Sequence, residues 1–182
     1  GMTLFPGVRY TGPLGRAFRA GNGMTAIGPP WSEIVAYDLN EGVIKWRVPF
    51  GTSPALAARG ITHTGNGRRV WRNGPAVTAG GLIFLGSWSD RTVRAFDKDT
   101  GKVLWEHALK ANPEGLVSVF EAGGRQYVVF CASGSAATEM PVDQAFESRP
   151  GLASAQGYYV FALPRAPATT VDASGRKSGQ PQ

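Results

Sequence analysis

The apolar residues of this chain fall into short runs, and each run is closed by a turn rich in Gly, Asp or Asn. Ile34, Val35, Ala36 and Tyr37 form one run, Asp38-Leu39-Asn40-Glu41-Gly42 closes it, and Val43, Ile44, Trp46 and Val48 carry the return. Asp and Asn side chains bond nearby backbone N–H groups, and Gly supplies positive φ. The pattern predicts a β-hairpin. It recurs downstream. Val93-Arg94-Ala95-Phe96-Asp97 is a strand, Lys98-Asp99-Thr100-Gly101 a turn, and Lys102-Val103-Leu104-Trp105 the return. Ala36 aligns with Ala95, Tyr37 with Phe96, Asp38 with Asp97, Gly42 with Gly101 and Trp46 with Trp105, all at one constant offset. A decayed third copy of the first strand appears at Tyr159-Val160-Phe161, and Pro164 stops it.

Two further hairpins lie between these copies. Ala76-Val77-Thr78 and Leu82-Ile83-Phe84-Leu85 flank a turn at Ala79-Gly80-Gly81. Leu116-Val117-Ser118-Val119-Phe120 and Tyr127-Val128-Val129-Phe130 flank a turn at Glu121-Ala122-Gly123-Gly124. Two successive hairpins make a four-stranded up-and-down sheet, so residues 76–109 read as one complete blade. Recurrence of such sheets predicts an all-β fold, a β-propeller of four-stranded antiparallel blades. A blade takes ~40–50 residues and a closed propeller at least ~4 blades, so the chain is expected to form an incomplete propeller. The expected organisation has three parts. Residues 1–31 are an irregular segment, a candidate for strands of the first blade. Residues 32–164 hold a partial, a full and another partial blade, and residues 165–182 form a polar tail expected to be disordered. Open blade edges need a cover. A second copy in a homo-oligomer, a partner chain or further blades would supply one.

Composition agrees with this picture. Of 182 residues, 42% are hydrophobic and 18% charged, with 25 Gly and 13 Pro. That is enough apolar material for a core, with the turn chemistry of an all-β chain. The net charge of +6 comes from scattered Lys and Arg, the densest group being Arg68, Arg69 and Arg72. No nucleic-acid motif accompanies it, so nucleic acid is not an expected partner. Cys131, the single cysteine, sits in an apolar run and is expected to be a buried small hydrophobe. No apolar run reaches the ~18 residues of a transmembrane helix. The opening Gly1-Met2-Thr3-Leu4 lacks a signal-peptide pattern, and Gly1 reads as the scar of a removed tag. His63 and His107 fall in no metal-binding spacing.

The Ala-x-Asp-x-x-x-Gly-x-x-x-Trp unit places a large flat ring against a glycine turn, and Trp46 and Trp105 are expected to pack between adjacent blades. The unit resembles the tryptophan-docking motif of the pyrroloquinoline quinone (PQQ) dehydrogenases. The chain is similar to the C-terminal part of the membrane-bound glucose dehydrogenase type, from about Pro29 to Pro164. The resemblance rests on Pro29-Pro30-Trp31, the Ala36-to-Trp46 unit, Thr78 to Gly86, Asp90, Arg94-Ala95-Phe96-Asp97, Gly124 to Val129 and Phe161-Ala162-Leu163-Pro164. It implies a propeller that binds PQQ and calcium near its axis and oxidises a sugar or alcohol hydroxyl, in the periplasm. It also implies that Asp90, in Gly86-Ser87-Trp88-Ser89-Asp90, lies close to the quinone and orients a neighbouring Lys. The alternative is an Asp that caps its own turn.

PQQ carries three carboxylates, which suits Arg72 and Asn73 as donors. Trp71 or Trp88 would stack on the flat ring. The family's calcium ligands, catalytic Asp base and quinone-contacting Lys belong to earlier blades with no counterpart here, so no catalytic or metal-binding residue is assigned. The segment after Cys131-Ala132-Ser133-Gly134 departs from the family pattern as an insertion through Gly151. Two function classes follow. One is a partial PQQ-dependent dehydrogenase, active on a sugar or alcohol only when other blades complete it. The other is a non-catalytic propeller module for protein–protein association through its open edges.

Overall fold

The computed structural model describes residues 27–65, 73–133 and 153–164. The 1–26 and 165–182 segments, the 135–151 insertion, Trp71 and Arg72 lie outside the described residues.

The first hairpin pairs β1 (Glu33–Asp38) with β2 (Val43–Pro49). Its turn forms for the reason read from the sequence. Asp38 Oδ1 accepts the N–H groups of Asn40 at 2.9 Å and Glu41 at 3.3 Å, and Gly42 donates to the Asp38 carbonyl at 2.8 Å. Gly42 has φ 69°, which a residue with a Cβ adopts only at a cost.

A linker with one helical turn, α1 (Pro54–Ala57), leads to the central sheet. The all-β expectation made no provision for this turn. Proline at its start fits, because the first helical N–H needs no partner. The central sheet follows β3 (Asn73–Gly74) and has the order β4 (Ala76–Val77), β5 (Leu82–Ser87), β6 (Thr92–Asp97), β7 (Val103–Ala108). All its neighbours are antiparallel. It is the complete blade expected over residues 76–109.

The repeat is real in geometry as well as in letters. Asp97 Oδ1 accepts the N–H of Asp99 at 3.0 Å and of Thr100 at 2.8 Å, as Asp38 does in the first hairpin. Gly101 donates to the Asp97 carbonyl at 2.9 Å and has φ 73°. Each hairpin breaks register at the same repeat position, between Ala36 and Tyr37 and between Ala95 and Phe96. The extra residue of such a bulge bends the strand. It leaves Trp46 opposite Ala36 and Trp105 opposite Ala95.

The third sheet has the order β10 (Ser118–Ala122), β11 (Arg125–Ser133), β12 (Gly157–Phe161), with β8 (Asn112–Pro113) paired to the end of β11. The single strand expected over Leu116–Phe120 is divided. Gly115 and Leu116 form β9, which runs parallel to β3, Gly74 facing Leu116. Gly115 has φ 88°, so the chain turns there. Leu116 thereby joins the inner strand of the preceding blade before β10 begins its own sheet.

Two apolar layers hold the three sheets. Ile83, Leu85 and Phe96 meet Phe50, Ile34 and Trp46 of the first hairpin. Phe84, Val93 and Ala95 meet Val128, Phe130 and Ala132 of the third sheet. Alternating residues of β5 and β6 thus face opposite neighbours, as a strand's two-residue period requires. The central strands are buried on both faces. β11 is buried on one face only: Val128, Phe130 and Ala132 are covered, while Val129 and Cys131 are half-exposed. Cys131 is therefore not the fully buried hydrophobe expected, because among the described residues no blade covers that face.

Candidate functional site at the linker end of the blades

Three hydrogen bonds gather the inter-sheet linkers and the β5–β6 turn at one end of the molecule. Leu109 donates to the Arg91 carbonyl at 2.7 Å, Asn112 Nδ2 to the Trp88 carbonyl at 3.2 Å, and Asn73 Nδ2 to the Gly86 carbonyl. The turns at 78–81 and 97–101 lie together elsewhere, joined by Lys98 N–H to the Gly81 carbonyl at 2.9 Å. Asp90 and Asn73 therefore lie at the same end.

Asp90 is held tightly. Arg94 grips its carboxylate with two nitrogens, Nη2 to Oδ2 at 2.8 Å and Nη1 to Oδ1 at 3.3 Å. Both side chains are nearly buried, 11% and 13% exposed. Arg94 Nε also reaches Glu106 Oε2 at 3.2 Å. A paired guanidinium–carboxylate fork of this kind fixes both partners in direction as well as distance. Asp90 Oδ1 further accepts the Thr92 N–H at 3.2 Å, so the residue also caps its own turn. Arg94 was not singled out as a site residue from the sequence. A signal existed: it is a charged residue between Val93 and Ala95 in a strand, and a charge there needs a partner.

Asn73 is half-buried, and its amide is directed at Gly86. Gly86 is confined: a Cβ there would stand 2.6 Å from Pro113 Cβ, so the third blade's entry seats against it. Trp88 is 8% exposed and so offers no open face for stacking on a quinone.

Arg91, in the β5–β6 turn, and His63, in the linker after α1, have φ 52° and 58°. Left-handed backbone in residues with a Cβ stores strain and is concentrated at functional sites. His63 precedes Thr64, which is fully buried, accepts the Ser53 N–H at 3.1 Å and donates to the Gly65 carbonyl. A cavity of about 200 Å³ lies beside His63, lined also by Thr52, Thr62, Arg94, Phe96 and Val103 among others.

A tricarboxylate such as PQQ needs several free N–H donors or cations. Asp90, Arg94 and Asn73 are committed to protein partners. They fit one wall of such a site and do not compose a whole one. Among the described residues no group of three or more His, Cys, Asp or Glu could hold a metal ion, and no helix is long and apolar enough to cross a membrane.

Successive antiparallel sheets packed face to face define the class, blades of a β-propeller, and comparison with known proteins defines the family. The model of the PQQ "glucose/ethanol/alcohol dehydrogenase, beta-propeller domain" matches residues 7–128, and the chain belongs to that family. It is 37% identical over 116 residues to the glycerol dehydrogenase large subunit of Gluconobacter thailandicus, covering 62% of this chain and 16% of that one. It is 32% identical over 125 residues to quinoprotein glucose dehydrogenase A of Acinetobacter calcoaceticus, covering 65% and 15%. A europium-containing methanol dehydrogenase structure aligns with TM-score 0.47 and 29% identity, over 72% of this chain and 23% of that one. The matched region is thus a small fraction of each relative's length.

Proposed function

We propose that the chain is a blade segment of a PQQ-dependent dehydrogenase that oxidises a sugar or alcohol once further blades close the propeller. The observation that carries this reading is the family match over residues 7–128, coinciding with the repeated hairpin unit. In this reading the linker end is the cofactor end. The Asp90–Arg94 fork forms a rigid wall there, Asn73 lies beside it, and Arg72 and Trp71 contribute donors and a stacking face. PQQ supplies the two-electron redox chemistry when bound. The residues that hold calcium and take the substrate proton are contributed by the other blades. A periplasmic location follows from the same resemblance.

The test is reconstitution. The chain, combined with the remaining blades, PQQ and calcium, is assayed against a panel of sugars and alcohols by dye reduction. Turnover that falls with Asp90→Asn supports the reading. An assembly that binds PQQ and turns over no substrate contradicts it.

A second reading, a module for protein–protein association, is favoured by one observation. The outward face of the third sheet exposes Tyr158 by 78%, Val160 by 55% and Phe120 by 48%. Asp90→Asn separates the two readings: it weakens cofactor binding in the first and leaves partner binding unchanged in the second.

A further inference from the structure

Between the first hairpin and the central blade the chain forms a closed loop. Its two ends are tied across a neck, where Thr64 Oγ1 accepts the Ser53 N–H at 3.1 Å and both residues are fully buried. A strap, Trp31-Ser32, binds each end in turn. Trp31 donates its N–H to the Thr64 carbonyl at 2.8 Å. Ser32 donates its hydroxyl to the Phe50 carbonyl at 2.7 Å and accepts the Phe50 N–H at 2.9 Å. Gly65 leaves the neck against that strap, since a Cβ there would stand 2.5 Å from the Ser32 carbonyl oxygen. Within the loop, α1 carries Leu56 into the interior, 3% exposed. A compact loop closed at its base is an Ω-loop, a form frequently put to functional use. Gly51 and His63, one on each side of the neck, both have positive φ, 79° and 58°. His63 holds that conformation at a cost, which marks the neck as a place where function is to be sought.

The cavity of about 200 Å³ lies where this neck meets β6 and β7. It has room for about seven water molecules at ~30 Å³ each, and is smaller than the ~300 Å³ at which drug-sized sites begin. Its walls are of two kinds. Phe96 and Val103 supply apolar surface, while Thr52, Thr62, His63 and Arg94 supply polar groups. Thr52 and Thr62 come from the two sides of the neck, so closure of the loop is what brings their hydroxyls to one cavity. Arg94 uses three of its five N–H groups on Asp90 and Glu106, which leaves two. Its charge is opposed by those two carboxylates. The wall therefore offers an anion no spare positive charge. No carboxylate lines the cavity to hold a cation. What it does offer is hydroxyls that both donate and accept, an imidazole and guanidinium N–H groups, set against an aromatic ring and an aliphatic side chain.

We propose that the neck of this Ω-loop and the adjoining face of β6 form a binding site for a small neutral polyol. The cavity volume limits the ligand to about six to eight non-hydrogen atoms, the size of glycerol or a four-carbon sugar alcohol. Thr52 and Thr62 exchange hydrogen bonds with its hydroxyl groups, and Arg94 donates to a hydroxyl oxygen. Phe96 and Val103 cover its C–H edges. A polyol suits this wall because each of its hydroxyls is both donor and acceptor, as the threonines are, and because it brings no charge to a guanidinium already neutralised. The bound ligand joins the loop to the blade, two elements that the cavity otherwise separates.

The test is a titration of the full chain with erythritol, followed by amide NMR, so that binding is read directly and without turnover. The expected result is a saturating shift of the Thr52, Thr62, His63 and Arg94 amides. Sucrose, too large for the cavity, is expected to leave them unshifted, which separates binding from the general action of polyols on protein solvation. Thr62 is exposed, so Thr62→Val keeps the fold while removing one hydroxyl, and is expected to weaken erythritol binding about three- to tenfold. Val103→Trp fills the cavity and is expected to abolish it. Shifts that stay linear with concentration, or that sucrose reproduces, overturn the site. Tighter binding of acetate or ammonium than of erythritol overturns the ligand class. Affinity unchanged in Thr62→Val, or retained in Val103→Trp, overturns the placement.

Discussion

The inner and outer flanks of the central blade face similar sequences and meet different fates. On the first side, Trp46 seats on Gly101 and bonds Lys98, and Lys45, the residue displaced by the bulge, reaches Asp99 at 2.9 Å. On the other side, Trp105 lies half in the open against Phe161. Among the described residues, the same motif is thus a finished joint in one place and an unfinished one in the other. The docking motif alone does not make the interface. The interface needs a following turn to dock upon, and that turn is a property of the next blade.

The comparison can be broken most forcefully at the tryptophans. Trp46→Ala is expected to cost about 3 kcal/mol, as for a largely packed aromatic, whereas Trp105→Ala costs less than about 1 kcal/mol, as for a surface residue. Urea unfolding of both variants checks this, and equal losses would erase the distinction. Gly101→Ala sharpens it. The new Cβ meets both left-handed backbone and the Trp46 ring, for a cost of about 2–3 kcal/mol. Gly124→Ala, at φ 68° with nothing within 4 Å, carries the backbone term alone, about 1 kcal/mol. Asp90→Ala strands the nearly buried Arg94 and is expected to lower stability by about 2 kcal/mol, readable as a drop in the urea midpoint.

The smallest effect is that of pH, through the exposed ion cluster on the finished side. Asp97 is held below the ordinary carboxylate range by the Thr100 hydroxyl, then by the Thr100 N–H. Asp99 is lowered by its hydrogen bond to Lys45, then by that to Lys98. Their stabilisation is present above the unfolded value of about 3.9 and is lost as pH falls through the lower folded values. Lys45 is raised by Asp99. Its contribution is present below about 10.4 and disappears as pH rises through its higher folded value. Thermal melts across acid and alkaline ranges should therefore show shallow losses at both extremes, smaller at high salt and absent at the alkaline end in Lys45→Met.

The hairpins and the central blade were legible because their determinants are local. Asp38 and Asp97 accept turn N–H groups two and three residues on, and Gly42 and Gly101 supply the φ those turns require. The apolar run Leu82-Ile83-Phe84-Leu85 marked a strand without saying which neighbour each of its faces met. What escaped was non-local. The break at Val117 depends on Leu116 pairing with Gly74 across two blades. The exposure of Cys131 depends on what lies beyond the third sheet. The Asp90–Arg94 fork joins a turn to a strand interior, and it became visible only once both were placed.

Residue-resolved amide hydrogen exchange of the unmodified chain tests the account most directly, since it reads each blade's cover separately. The prediction is slowest exchange in β5 and β6, bonded on both edges and buried on both faces, and markedly faster exchange in β12, bonded on one edge among the described residues. Protection of β12 equal to that of β6 would mean that its fourth strand is already in place, and would contradict the unfinished joint on which the reading of the third blade rests.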